Sequence, residues 1–62
     1  GGTVIELLAK PGQTVKTGDL LLVYEAMKME NDLATDIEGT IKRFLVKEGD
    51  VIATDQPLVE FE

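Results

Sequence analysis

The sequence contains no cysteine, no histidine and no tryptophan. A disulfide therefore cannot form and the usual structural zinc ligands are missing, so packing alone has to hold the fold. Basic residues are scarce, with six Lys and Arg against twelve Asp and Glu for a net charge of −6. That balance argues against nucleic acid or an anionic membrane surface as partner, since both are polyanions. Long apolar runs are absent as well: the longest, Leu20 to Tyr24, is far too short to cross a bilayer, and no signal peptide is expected. The expected setting is cytoplasmic, without direct membrane insertion. Gly12 and Gly18 lie too far apart to form a phosphate-cradling loop. Neither a catalytic residue nor a metal ligand is expected.

At 62 residues the chain allows one small domain. A domain of that size buries only about 60% of its unfolded surface, which leaves a marginal core. The chain begins with Gly rather than Met, as expected of a piece of something longer.

What is present is a duplication. A shift of 37 residues sets Gly2-Thr3-Val4 on Gly39-Thr40-Ile41, Gly12 on Gly49, Val15 on Ile52, Leu21 on Leu58 and Glu25 on Glu62 without a gap. Most other pairs exchange one apolar residue for another, such as Leu7 for Phe44 and Tyr24 for Phe61. Two copies of one supersecondary unit therefore flank a short central segment, Glu25-Ala26-Met27-Lys28-Met29-Glu30.

Both copies read as strands, because apolar residues recur at short spacing between Gly, Pro, Asp and Asn, and no window sustains a helical period. Thr3–Lys10 and Thr40–Lys47 carry apolar residues at Val4, Leu7 and Ala9 and at Ile41, Phe44 and Val46. Spacing of three and then two breaks alternation, and a β-bulge at Ile5-Glu6 and at Lys42-Arg43 repairs it. Lys10-Pro11-Gly12-Gln13 and Lys47-Glu48-Gly49-Asp50 are expected turns, with glycine supplying a positive φ. Short strands follow at 14–16 and 51–53, then turns at 17–19 and 54–57, and closing strands at 20–26 and 58–62.

Glu60 and Glu62 mark the wet face of the last strand, which turns Val59 and Phe61 inward, and the repeat carries that parity to Leu22 and Tyr24. The expected core is Val4, Leu7, Val15, Leu22, Tyr24, Ile41, Phe44, Val46, Ile52, Val59 and Phe61. A twist at the start of the closing strands would bury Leu21 and Leu58 too. Neither half is large enough to fold alone, so strands of both copies have to meet. The fold class is all-β, a flattened barrel or sandwich of two antiparallel sheets with an internal pseudo-twofold axis. The segment 31–38 is a further expected strand, leading into the second copy. Its symmetry mate would lie ahead of Gly1, so residues 1–62 are expected to be a single domain lacking its first strand.

Lys28 sits where local preference and geometry disagree. Tight hairpins favour Asn-Gly or Asp-Gly because their central residues need positive φ, and Met-Lys is a poor choice there. Departures from a local rule without structural gain mark functional positions more often than accidents. Ala26-Met27-Lys28-Met29, with Glu25 before it and Glu30-Asn31 after it, resembles the acceptor motif of the biotinyl domain, the biotin carboxyl carrier family. Gly12-Gln13-x-Val15, Gly18-Asp19-x-Leu21 and Gly49-Asp50-x-Ile52 also fit that family's two half-domains, so the resemblance spans the whole chain.

The resemblance implies a hammerhead fold, biotin in amide linkage on Lys28, Ala26, Met27 and Met29 as hairpin flanks, and Glu25 and Glu30 as contacts for a biotin protein ligase. It also implies a carrier without catalysis of its own. Its arm would move a carboxyl group between a biotin carboxylase and a carboxyltransferase or decarboxylase. Two departures stand out: no proline precedes Gly39 in Thr35-Asp36-Ile37-Glu38, and the gapless repeat has no room for the protruding loop of bacterial acetyl-CoA carboxylase carriers.

For the other five basic residues a solvated charge is the ordinary reading, and for Met27 and Met29 the ordinary reading is a pair capping the core. A lipoyl carrier is the nearest alternative function, although that family usually places Asp-Lys-Ala at the tip. An unmodified all-β interaction module is the other.

Overall fold

The computed structural model describes all residues, Gly1–Glu62. Seven strands and no helix are present: β1 (Gly2–Leu7), β2 (Thr14–Val15), β3 (Leu20–Ala26), β4 (Met29–Ala34), β5 (Gly39–Phe44), β6 (Val51–Ile52) and β7 (Val59–Phe61). They form two antiparallel sheets in the orders β4-β3-β1-β6 and β2-β5-β7. Each sheet thus borrows its short strand from the other copy. The domain is elongated, 31 × 19 × 19 Å, and no helix is long and apolar enough to cross a membrane.

The duplication in sequence is a rotation in space. Val4 N–H donates to Asp50 O at 2.8 Å, and the exchanged pair has Ile41 N–H donating to Gln13 O at 2.9 Å. Leu8 N–H to Leu21 O is likewise matched by Leu45 N–H to Leu58 O, both at 2.8 Å. The expected bulges occur in both copies: the β1–β3 register slips between Val4 and Glu6, and the β5–β7 register between Ile41 and Arg43. The expected glycine turns occur too, with φ of 87° at Gly12 and 91° at Gly49. At the next turn Gly18 has φ of 97°, and its mate Asp55 takes the left-handed conformation at 66°, which Asp tolerates better than most residues.

The core divides into two clusters related by the same rotation. One contains Val4, Leu22, Val46 and Ile52, the other Ala9, Val15, Leu21 and Ile41. Every cluster mixes residues from both copies, so neither half covers its own apolar face, as expected. Leu7, Tyr24, Phe44, Val59 and Phe61 are half-buried against these clusters rather than fully enclosed. Leu21 is buried and Leu58 half-buried.

Several strands are shorter than the pattern suggests. β1 ends at Leu7 and not at Lys10, and β5 at Phe44 and not at Lys47, because the chain then turns toward Lys10 and Lys47, whose N–H groups are taken by the side chains of Gln13 and Asp50. β4 stops at Ala34 instead of continuing to Glu38. Thr35 is buried, and its hydroxyl donates to Ile37 O at 2.8 Å and accepts from Ile37 N–H at 3.2 Å. This local hydroxyl turn bends the chain where no proline is available to do so.

Candidate functional site

β3 and β4 pair over nearly their full lengths, through Leu22 with Leu33, Tyr24 with Asn31, Glu25 with Glu30 and Ala26 with Met29. The loop that joins them is two residues long, Met27 and Lys28. Both are left-handed, with φ of 53° and 65°. Paired positive values at the two central positions define the turn whose twist matches that of the flanking strands. The conformation costs an L-residue about 1–2 kcal/mol. Nothing in the local packing returns that cost, since Met27 is 94% exposed and Met29 66%. The two methionines do not cap the core.

Lys28 is exposed at the apex. The only ion pairs in the molecule join Lys42 and Arg43 to Glu60, so the Lys28 amine is held by no carboxylate. Glu25 and Glu30 face each other across the hairpin two rows below the tip, both exposed. Like charges directly opposite on a sheet destabilise it slightly, which is a second local cost at the same place. Ala26, half-buried, ends β3 and forms part of the wall of a cavity of ≈ 360 Å³ whose other walls include Gly1, Tyr24, Leu33, Asp55 and Leu58. That cavity opens beside the root of the hairpin and Lys28 does not line it.

One residue of the hairpin has a role that the sequence reading left unassigned. Asn31 Nδ2 donates to Met29 O at 3.2 Å, which braces the start of β4 just behind the tip. Asn is disfavoured within strands, and that was the available signal.

The arrangement can present an amine to solvent on a rigid two-stranded ribbon. Chemically it suits an amide tether. An exposed amine free of ion pairs is open to acylation, and no group of acidic side chains is placed to hold a metal.

The biotin and lipoyl family described as "Biotin-requiring enzyme" matches residues 1–61. Pyruvate carboxylase of Bacillus subtilis is 48% identical over 61 residues, covering 98% of this chain and 5% of that protein. The biotin carboxyl carrier protein of acetyl-CoA carboxylase from Pseudomonas aeruginosa is 49% identical over 47 residues, covering 76% of this chain and 30% of that protein. The chain therefore spans only a small part of the relatives it matches. Among solved structures, the lipoyl domain of the 2-oxoglutarate dehydrogenase complex from Azotobacter vinelandii superposes with a TM-score of 0.79 at 28% identity, covering 98% of this chain and 77% of that one. Duplicated sandwich, hairpin lysine and matched relatives converge: the chain belongs to the biotinyl and lipoyl attachment family, and within it is a biotinyl domain.

Proposed function

We propose that the Lys28 amine carries biotin in amide linkage and that the domain is the carboxyl carrier of a biotin-dependent carboxylase, transcarboxylase or decarboxylase. The observation that carries this reading is the pair of left-handed residues Met27 and Lys28 at a fully exposed tip. A turn built for stability alone would place Asn-Gly there. In the modification a biotin protein ligase presents an ATP-activated biotin acyl group. The Lys28 nitrogen attacks the acyl carbon, the C–O bond to the leaving group breaks with its electron pair, and the nitrogen releases one proton. Once attached, biotin supplies a ring nitrogen that takes up and gives away a carboxyl group at partner active sites. The domain contributes position: β3 and β4 fix the direction of the lysine, Asn31 steadies the hairpin, and no residue is required as acid or base. The need for ATP and ligase favours a cytoplasmic setting.

The test is mass spectrometry of the domain incubated with biotin protein ligase, biotin and ATP. One biotinyl group is expected, located on Lys28 and absent from Lys28→Arg. Because a lipoyl domain shares the fold, lipoate and its ligase are included in parallel. A lipoyl adduct without a biotinyl one would overturn the assignment, and no adduct from either would favour an unmodified interaction module.

We further propose that in a longer chain the residues ahead of Gly1 form a strand on the free edge of β7. Support comes from the rotation: β4 lies beside β3, and β7 has no corresponding neighbour. Thr35 bonds to Gly18 N–H and Asp19 O, and its symmetric position falls by Asp55 and Gln56, at the mouth of the cavity. Slower amide exchange in β7 when the preceding residues are included is the expected result, and unchanged exchange would refute it.

A further inference from the structure

The duplication gives each outward sheet face an internal control, and the two faces have diverged. On the three-stranded sheet the outward residues satisfy one another. Arg43 Nε lies 2.8 Å from Glu60 Oε1, with Lys42 Nζ 3.9 Å from the same carboxylate, and the hydroxyls of Thr14 and Thr40 are 3.1 Å apart. The symmetric positions on the four-stranded sheet carry Ile5 for Lys42, Glu6 for Arg43, Val23 for Glu60 and Val51 for Thr14. Val51 is 77% exposed and Ile5 41%. Beside them the register aligns Thr3 with Glu25 and Glu25 with Glu30, and Glu6 with Val23 and Val23 with Asp32. The face therefore combines apolar side chains at Val51, Ile5 and Val23 with carboxylates at Glu6, Glu25, Glu30 and Asp32, of which Glu25 and Glu30 lie beside the lysine hairpin. No Lys or Arg occurs in any of these four strands. Single exposed apolar residues are ordinary. What is not ordinary is a face that has lost every internal polar contact its mate retains.

We propose that this outward face is the seat of the biotin protein ligase, contacted by an apolar patch bordered with Lys and Arg. The inference rests on the attachment reading and deepens it. Geometry selects the ligase over the carboxylating partners. A ligase has to bring its reacting atom to bonding distance of the Lys28 nitrogen and so has to cover the surface beside the hairpin. A carboxylating enzyme meets the ring at the far end of the arm, where covering the sheet face is not a geometric requirement. Charge complementarity would also steer the encounter and make it sensitive to salt.

The experiment grafts the other copy's residues onto this face: Ile5→Lys, Glu6→Arg, Val23→Glu and Val51→Thr together, a set whose ion pair already exists on the opposite sheet. Steady-state biotinylation by a purified ligase is then measured at low and high salt. The graft is expected to raise KM for the domain by about tenfold or more with kcat within about twofold, and to flatten the fall of kcat/KM with salt. Val51→Thr alone, at a surface position where a folding defect is not expected, should move KM in the same direction. The reverse exchange on the other face, Thr14→Val with Lys42→Ile, should leave KM unchanged. Equal KM for wild type, graft and Val51→Thr overturns the proposal, as does a matching rise in the reverse exchange. If wild type takes up no biotin at all, the attachment reading fails instead, so the two failures are distinct.

Discussion

The hairpin tip gives up stability for access, and a double substitution measures how much. Met27 and Lys28 hold φ of 53° and 65°, each at a cost of about 1–2 kcal/mol for an L-residue. Met27→Asn with Lys28→Gly places in the turn the pair that its backbone prefers. Asn lowers the first cost and Gly removes the second, while the added freedom of Gly in the unfolded chain returns about 0.5–1 kcal/mol. No packing is lost, because Met27 is 94% exposed. The net expectation is a gain of about 1–2 kcal/mol, and since each kcal/mol moves the midpoint of a domain of this size by about 4–8 °C, melting should rise by about 5–15 °C. Circular dichroism on heating, with urea titration to check that the m-value is constant, reads the change directly. Lys28→Arg serves as control, since it keeps the left-handed side chain and should melt like wild type. The reasoning fails if the double variant melts at or below the wild-type midpoint, which would mean that the turn is unstrained or that the methionine contributes packing.

Other substitutions test the frame and the flanks. Leu22, fully buried between both copies, should cost about 2–5 kcal/mol as Leu22→Ala. Against a total stability of about 3–9 kcal/mol for a chain of this length, that should leave a substantial unfolded fraction by near-ultraviolet dichroism or NMR. Thr35→Val removes the hydroxyl that serves both polar groups of Ile37, with an expected loss of about 1–3 kcal/mol in urea unfolding. Glu25→Thr relieves the facing carboxylates and should stabilise by about 0.2–1 kcal/mol, an effect that shrinks in high salt while biotinylation becomes slower.

Much of this was legible in the chain because the duplication states every local rule twice. The bulges follow from the spacing of Val4, Leu7 and Ala9, repeated at Ile41, Phe44 and Val46, and the left-handed turns follow from Gly12 and Gly49. Leu21 was harder to place. The β3–β4 register slips between Leu20 and Leu22, which turns Leu21 inward along with Leu22, and three consecutive leucines carry no alternation from which to read that slip. The half-exposure of Tyr24, Phe44 and Phe61 follows from a body only 19 Å thick: large rings reach its rim where small residues such as Ala9 stay inside. Strand ends at Leu7 and Ala34 depend on short-range hydrogen bonds, Lys10 N–H to Gln13 Oε1 and the Thr35 hydroxyl to Ile37 O, which the spacing of apolar residues does not register.

The position of the lysine also has a physical reason in the duplication. Every residue from Gly2 to Glu25 has a symmetry mate, and the bulges, glycine turns and inter-copy hydrogen bonds of one copy recur in the other. A change there disturbs two places at once, because the clusters mix both copies. The connection from Ala26 to Glu38 has no mate within the chain and is held by its pairing with β3, by Leu33 against the core and by Thr35. It is the one internal stretch in which a strained, solvated turn can be installed without a matching distortion elsewhere. The proposed carrier function therefore falls in the segment that has no symmetry mate, and the long β3–β4 ladder beneath it supplies the rigidity such a function needs.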